Sequence, residues 1–241
     1  MVNSLSGMAV REFLPEEVMA VAERYPRLLS TVVGTMEGVF DISAEYEGSL
    51  VTDSFTVKIT ASNPNSELLP AVYETGGRTE RIAKQHGITD LRDLHRNPDG
   101  TACLCTKLVE RRKCPPGTTL LNFIEVLVVP YFYSLSYYQK HGRFPWADFS
   151  HGGIGLLEFA ADDTEQPSKE DMLEILKVFR CEPSWKAYYK QLRKPSAERA
   201  CLCGSLKQFS RCHSRAWSGI ARLRAEVQRF NLDSKKLFRP Q

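Results

Sequence analysis

Three segments with the pattern of β-strands follow one another between residues 38 and 77, and no helical pattern separates them. The middle one, DSFTVKITA (53–61), alternates apolar and polar residues and so places Phe55, Val57 and Ile59 on one face, as in a half-buried strand. The connection EGSLVT before it is suited to a hairpin. This succession predicts an antiparallel meander and excludes the strand–helix–strand alternation of a dinucleotide-binding fold.

Helical patterns lie on both sides of these strands, so the predicted fold class is α+β. The segment LPEEVMAVAERYPRLLSTV opens with Pro15 and two glutamates, and apolar residues recur at helical spacing as far as Leu28, although Pro26 is expected to end or kink the helix. The most apolar stretch, 120–138, contains Asn122, Glu125 and Pro130. It is therefore predicted to be a buried helix rather than a membrane span.

The distribution of charge predicts two modules in the 241-residue chain. Residues 1–167 carry 15 basic and 22 acidic side chains (net −7), whereas residues 168–241 carry 17 and 7 (net +10). We expect a first domain at 1–160, a polar linker at 161–171 and a helical module at 172–241. The basic module could meet an acidic protein or nucleic acid, or it could be a solvated face without a partner.

Seven cysteines and the lack of a secretory signal pattern at the start favour reduced thiols in the cytoplasm. Four potential metal ligands lie within thirteen residues, in CLCGSLKQFSRCH: Cys201, Cys203, Cys212 and His213. Two close pairs joined by a Gly-Ser turn match the needs of tetrahedral zinc. Because all four donors come from the protein, the predicted zinc site is closed and structural.

These thirteen residues closely resemble the SEC-C motif, a zinc-binding element. The resemblance covers the Cys-Gly-Ser turn, Lys207, Phe209 and the final Cys-His pair, while Leu202 and Leu206 replace the Pro and Gly common in the family. The resemblance implies a module for protein docking rather than for catalysis.

The first cysteine cluster lies in DLHRNPDGTACLCTK (93–107). Together with Cys114 it offers a second conceivable zinc site, made by His95, Cys103, Cys105 and Cys114, but the spacing follows no known pattern of zinc ligands. For Cys105 and Cys114 the simpler interpretation is that they are buried as small apolar side chains.

The order of elements around Cys103 resembles the ubiquitin-conjugating enzymes (the UBC fold). That family has a helix, a meander, a His-Pro-Asn motif and a Gly-Thr-x-Cys-Leu-like catalytic segment, and this chain has His95-Arg96-Asn97 followed by GTACL, with Arg96 in the place of Pro. The resemblance covers about residues 13–140. It is closest to divergent bacterial relatives, some of which are encoded in anti-phage operons beside an activating enzyme.

A cysteine in a loop with an asparagine nearby is also suited to acyl transfer on chemical grounds. The Cys103 thiolate would attack an activated carboxyl group, and the Asn97 amide would stabilise the oxyanion when an amine attacks the thioester. The family pattern gives His95 a structural role through hydrogen bonds. His151, in FSHGGIG, could deprotonate the amine or be an ordinary loop histidine, and Asp99 could orient a lysine or only form a turn.

The sequence thus predicts a conjugating enzyme that carries a ubiquitin-like modifier or a substrate C-terminus as a thioester on Cys103. The expected partners are an activating enzyme and the modifier or a protein substrate, with no membrane partner. A hydrolase triad is not evident, although His86 and His141 could fold toward Cys103.

The alternative is a non-catalytic UBC-like interaction protein that docks through its zinc module; such domains typically lack the cysteine. A nucleic-acid-binding protein is a third hypothesis, which no groove-reading motif supports.

Overall fold

The computed structural model describes residues 12–66, 68–146, 149–150, 152–162, 166–233 and 238. The chain divides into two compact units, Met1–Trp146 and Ala147–Gln241. The fold is α+β: the first unit contains an antiparallel sheet and helices, and the described part of the second unit is mainly helical. The division lies before the predicted linker at 161–171, because the helix at 152–162 packs within the second unit.

The first unit begins with helix α1 and a four-stranded sheet, followed by further helices. Its elements are α1 (Pro15–Arg24), β1 (Leu28–Val32), β2 (Thr35–Tyr46), β3 (Ser49–Thr60), β4 (Ala71–Glu74), α2 (Arg78–His86), a 3-10 turn (Leu91–Leu94), α3 (Lys107–Lys113), α4 (Leu120–Phe123) and α5 (Val129–His141). The sheet order is β1-β2-β3-β4, and each neighbouring pair is antiparallel. The predicted meander is therefore confirmed.

Strands β2 and β3 form a long hairpin around a turn of two residues. Glu47 and Gly48 both have positive φ, 47° and 77°, as a tight hairpin turn requires. The turn is shorter than the predicted connection EGSLVT, because residues 49–52 belong to strand β3 although Ser-Leu-Val-Thr does not alternate apolar and polar residues. On β3, Phe55, Val57 and Ile59 are buried as predicted.

The predicted helix around Val18–Leu28 is too long, and the sequence pattern missed strand β1. Helix α1 ends at Arg24, and Leu28 begins β1. Pro26 explains the break, because a proline disfavours the helical conformation in the residue before it and cannot donate an N–H. Leu28 is buried, like Val21 of α1, but it belongs to a different element.

The core of the first unit lies between the sheet and helix α5. The ring of Phe132 on α5 lies 5.7 Å from that of Phe40 and 4.6 Å from that of Phe55, so the helix packs on both central strands. A π-helical turn, Ile124–Val128, joins α4 to α5 just before Pro130. Pro130 has no N–H and its ring crowds the carbonyl four residues earlier, which accounts for the wider turn.

Among the described residues, one helix, Leu120–His141, is long and apolar enough to cross a membrane by length and composition. However, 67% of its most apolar window is buried inside the protein. This degree of burial is expected of the core helix of a soluble protein.

The second unit contains five described helices: α6 (Gly152–Asp162), α7 (Lys169–Cys181), α8 (Trp185–Arg193), α9 (Phe209–Cys212) and α10 (Ser214–Arg229). The predicted capping box of α7 is confirmed, since Ser168 and Asp171 bond to each other's backbone. Helices α6 and α10 pack closely at Gly219, where an added Cβ would lie 1.9 Å from the carbonyl oxygen of Leu157. A glycine is therefore needed at this crossing.

Candidate functional site

Asn97 and Cys103 lie on the two arms of a tight hairpin. The Cys103 N–H donates to the His95 carbonyl at 2.7 Å, and the Asn97 N–H donates to the Thr101 carbonyl at 2.8 Å. Residues 98–100 form the turn between the arms. The six positions that separate Asn97 from Cys103 in the sequence are thus folded back, so that the two residues share one rigid element.

His95 ends the 3-10 turn and starts the hairpin. Its φ of 55° reverses the chain after Leu94, and its carbonyl accepts the Cys103 N–H. The imidazole ring packs 5.2 Å from the ring of Phe144. These contacts agree with the structural role that the family resemblance implies for His95.

The hairpin is attached to the edge of the sheet. The Ala102 N–H donates to the Val72 carbonyl on β4 at 2.7 Å, and Thr101 forms an isolated antiparallel bridge with Tyr73. The position of Cys103, one residue farther along, is therefore set by main-chain hydrogen bonds to the sheet rather than by a free loop.

The side chain of Thr101 is the centre of a polar network inside the hairpin. Thr101 is 1% exposed, and its hydroxyl donates to Asp99 Oδ1 at 2.7 Å. It accepts hydrogen bonds from the side-chain amides of Asn97 at 2.9 Å and Asn65 at 3.1 Å. Asn65 also donates to Asp99 Oδ2 at 2.8 Å. The structure therefore places Asp99 in the turn network, where its carboxylate organises the hairpin.

The three cysteines of the first unit differ in their surroundings. Cys103 and Cys105 are both partly exposed, and Cys114 is buried. Burial, with a further contribution from the charge of Glu110, raises the pKa of Cys105 to about 12. Burial also raises the pKa of Cys114. Cys105 and Cys114 therefore carry little thiolate at neutral pH and are poor nucleophiles. Cys114 is buried as expected, whereas Cys105 is only partly buried.

The remaining histidine candidates have other partners or fall outside the description. His151 is not among the described residues. His86 Nε2 lies 3.1 Å from the Gln139 carbonyl on α5, and the ring of His141 lies 4.2 Å from that of Tyr137. These contacts give no support to a hydrolase triad of His86 or His141 with Cys103.

The second cluster brings its four ligands together. The donor atoms of Cys201, Cys203, Cys212 and His213 all lie within 4.8 Å of one another. The sulfurs of Cys203 and Cys212 are 3.7 Å apart, close to the roughly 3.8 Å expected of two thiolates about 2.3 Å from a tetrahedral zinc. These four residues could therefore bind a metal ion, and the donor set is one that zinc prefers.

A short loop and a short helix position these ligands. The Cys201 N–H donates to the Lys207 carbonyl at 2.8 Å, which closes the loop that carries Cys203. Helix α9 then brings Cys212 back to the loop, and His213 follows directly before α10. Phe209, fully buried, anchors α9 against the ring of Trp217 at 5.9 Å. Local folding alone therefore assembles the site.

Ser205 lies beside two of the ligands. Its hydroxyl oxygen is 3.1 Å from the sulfur of Cys203 and 3.2 Å from that of Cys212. Burial raises the pKa of Cys203, but hydrogen bonds with Ser205, Cys201 and Cys212 outweigh burial and lower this pKa to about 7. Ser205 therefore favours the thiolate form that a metal requires.

The described residues contain no other group of three or more close metal-binding side chains, and the hypothetical zinc site of His95, Cys103, Cys105 and Cys114 is not supported. No family model, curated protein or solved structure matches the chain. The family resemblances therefore depend on the sequence motifs quoted above.

The sequence analysis missed the roles of Thr101 and Ser205. From the sequence, Thr101 is only one residue of the GTACL motif, and Ser205 is only the second residue of a Gly-Ser turn. The available signal was in the spacing: each hydroxyl lies two residues from a cysteine, Cys103 or Cys203, in a segment where the chain reverses.

Proposed function

We propose that this protein is a conjugating-type acyltransferase that carries a ubiquitin-like modifier or a substrate C-terminus as a thioester on Cys103. The observation that carries the proposal is the hairpin that holds the partly exposed Cys103 thiol on the arm opposite Asn97. A helix and a four-stranded meander precede this hairpin, as the UBC resemblance implies, although helix α2 and a 3-10 turn stand between β4 and the hairpin.

The proposed reaction has two steps. In the first, the thiolate of Cys103 attacks the acyl adenylate made by an activating enzyme, and AMP leaves as the thioester forms. In the second, an amine attacks the thioester carbonyl, the Asn97 amide donates to the oxyanion, and the Cys103 thiolate is expelled as the amide bond forms. The amine loses its proton in this step; no described residue is assigned as the base.

Cys201, Cys203, Cys212 and His213 would hold a structural zinc in this proposal. All four ligands come from one short segment, so the ion would stabilise that segment, which lies 98 to 110 residues after Cys103 in the sequence. The SEC-C resemblance indicates a docking role for the resulting surface, which would recruit the activating enzyme or the target in a bacterial conjugation pathway.

A thioester trap tests this function. The full chain is incubated with extract of its native cells and ATP, quenched in acid and run on gels with and without thiol. We expect an adduct that thiol removes from the wild type. Cys103→Ser should give no adduct or a thiol-resistant ester, whereas Cys105→Ser, two residues away, should load normally. A thiol-sensitive adduct that survives Cys103→Ser would refute the proposal.

The interaction-protein alternative makes a different prediction for the same thiol. If the domain only docks, no adduct forms in the native extract, and the zinc module alone accounts for binding. Alkylation with iodoacetamide separates the two functions further. The conjugating proposal requires Cys103 to react much faster than Cys105, whereas equally slow reaction of both thiols would favour the interaction protein.

A further inference from the structure

We propose that Thr101 is a positioning residue that fixes the carboxamide of Asn97 for acyl transfer from Cys103. This inference rests on the proposed function. It concerns a side chain that touches neither the thiol nor the amine, and it acts through the orientation of the amide that would meet the oxyanion.

The hydrogen-bonding capacity of the Thr101 hydroxyl is fully used. It has one hydrogen and two lone pairs. The hydrogen is donated to Asp99 Oδ1 at 2.7 Å, and an ionised carboxylate only accepts hydrogen bonds. The hydrogen bonds from Thr101 hold the pKa of Asp99 below its usual range, so this carboxylate stays ionised. The hydroxyl oxygen must therefore act as an acceptor toward its other two neighbours, Asn97 and Asn65.

This arrangement determines which end of the Asn97 side chain faces Thr101. The amide oxygen cannot occupy that place, because the hydroxyl hydrogen is committed to Asp99; the NH₂ group must. Nδ2 carries two hydrogens, and within the described part of the chain Thr101 is the one partner of this nitrogen. The second N–H is left to donate to an oxyanion.

The pairing of the two arms puts the side chain of Asn97 on the same face of the hairpin as that of Cys103. The bond from Asn97 to Thr101 puts both side chains on the same face of the hairpin. Cys103 follows Thr101 by two residues in extended chain, where alternate side chains share a face. The main-chain bonds of Ala102 to Val72 and of Cys103 to His95 keep this alternation in register. Asp99 and Thr101 therefore act together on the side of Asn97 that faces the thioester.

The first experiment separates loading from discharge. The adduct on Cys103 is formed in native extract with ATP, purified, and chased with free lysine at increasing concentration. For Thr101→Val we expect normal loading, an unchanged KM for lysine and a maximal discharge rate lower by about tenfold, since only the alignment of one oxyanion donor is lost. Asp99→Asn should be slowed in the same way, because an amide can donate to Thr101 as well as accept from it.

Two controls accompany these variants. Thr101→Ser keeps the hydroxyl and should restore discharge to nearly the wild-type rate. Thr52→Val makes the same substitution at an exposed position on β3 and should discharge normally. Wild-type discharge by Thr101→Val, or an equal slowing of Thr101→Ser, would overturn the positioning role.

A spectroscopic measurement needs no loading. In protein labelled with ¹⁵N-asparagine, the side-chain NH₂ signals of Asn97 are assigned by their loss in Asn97→Asp. We expect them to shift and to exchange faster with water in Thr101→Val and Asp99→Asn, but not in Thr101→Ser. Unaltered signals in both variants would overturn the inference. Failure of the wild type to load, with these shifts present, would overturn only the proposed function.

Discussion

At the scale of single residues, a hydroxyl group takes part in the hydrogen bonds of each of the two cysteine-containing segments. Ser205 lies 3.1 Å and 3.2 Å from the sulfurs of Cys203 and Cys212, and Thr101 organises the hairpin that carries Cys103. Neither hydroxyl belongs to a metal-binding or nucleophilic group itself. Each acts by deciding which hydrogen bonds its neighbours can make.

Ser205→Ala should weaken zinc binding by on the order of tenfold, because the Cys203 thiolate loses a hydrogen bond that stabilises its charge. Competition with a chromophoric chelator measures the affinity of the full chain. Ser218→Ala, on the exposed side of α10, is the matched control and should bind zinc as the wild type does. Equal affinity of all three proteins would show that Ser205 does not act on the ligands.

What could be predicted for single residues depended on how local their environment is. The four metal ligands lie in one segment, so their spacing sufficed to predict that they meet. The difference between Cys103 and Cys105 was only partly accessible. Cys105 is partly buried against the core of the first unit, whose elements are distant in sequence, and this desolvation is the main cause of its raised pKa.

At the scale of elements, one ion pair ties three parts of the first unit together. Arg78, the first residue of α2, donates to both carboxylate oxygens of Asp53 on β3, at 2.6 Å and 2.5 Å. Ser136 on α5 donates to the same carboxylate at 2.7 Å. The guanidinium group also lies 4.4 Å from the centre of the Phe55 ring. Removing either Arg78 or Asp53 would leave the partly buried charge of the other without its partner.

The carboxylate of Asp53 should make stability depend on pH in acid. Burial raises its pKa, but the hydrogen bonds from Arg78, Ser136 and the Ser54 amide outweigh burial and hold the pKa below its usual range. A carboxyl group with a lowered pKa in the folded state stabilises the protein above its unfolded pKa of about 3.9, and this contribution is lost as pH falls through the folded value.

Asp53→Asn should therefore lower the urea midpoint at about pH 7, and the difference from wild type should shrink below about pH 4. Unfolding followed by circular dichroism at several pH values measures this. Glu23→Gln, at an exposed position on α1, should change the midpoint little at any pH. A deficit in Asp53→Asn that persists undiminished in acid would mean that the carboxylate charge is not its cause.

The elements themselves were predictable where one pattern dominated. The alternation on β3 and the capping box of α7 were confirmed, because each is set by neighbouring residues. Strand β1 was missed because Leu28 continues the helical spacing of α1, although Pro26 had already ended the helix. Helix α2 carries little apolar periodicity, since seven of its nine residues are charged or polar and few are buried.

At the scale of the whole molecule, the charge pattern predicted two modules but not where they meet. With the division at 146/147, the first unit has 15 basic and 17 acidic residues, and the second has 17 and 12. The apolar sequence of α6 does not indicate whether the helix packs in the first unit or in the second. Its place is decided by close packing against α10 at Gly219, a contact between residues more than 60 positions apart.

Two compact units, only one of which contains the candidate metal ligands, should respond differently to removal of metal. The loop of residues 200–208 is closed by a single isolated bridge, so without an ion few interactions hold it. The sheet of the first unit has its own continuous apolar core. Chelation should therefore act on the second unit alone, and first on the segment that supplies the ligands.

Hydrogen–deuterium exchange of the full chain, with and without a strong chelator, tests this expectation. We expect exchange in residues 200–213 to accelerate roughly tenfold or more after chelation, while β2 and β3 keep their protection. Cys203→Ser should show the same fast exchange without chelator, whereas Cys181→Ser, an exposed thiol outside the cluster, should behave like the wild type. If residues 200–213 stay protected in Cys203→Ser, the segment folds through its own contacts, such as that of Phe209 with Trp217, and needs no metal.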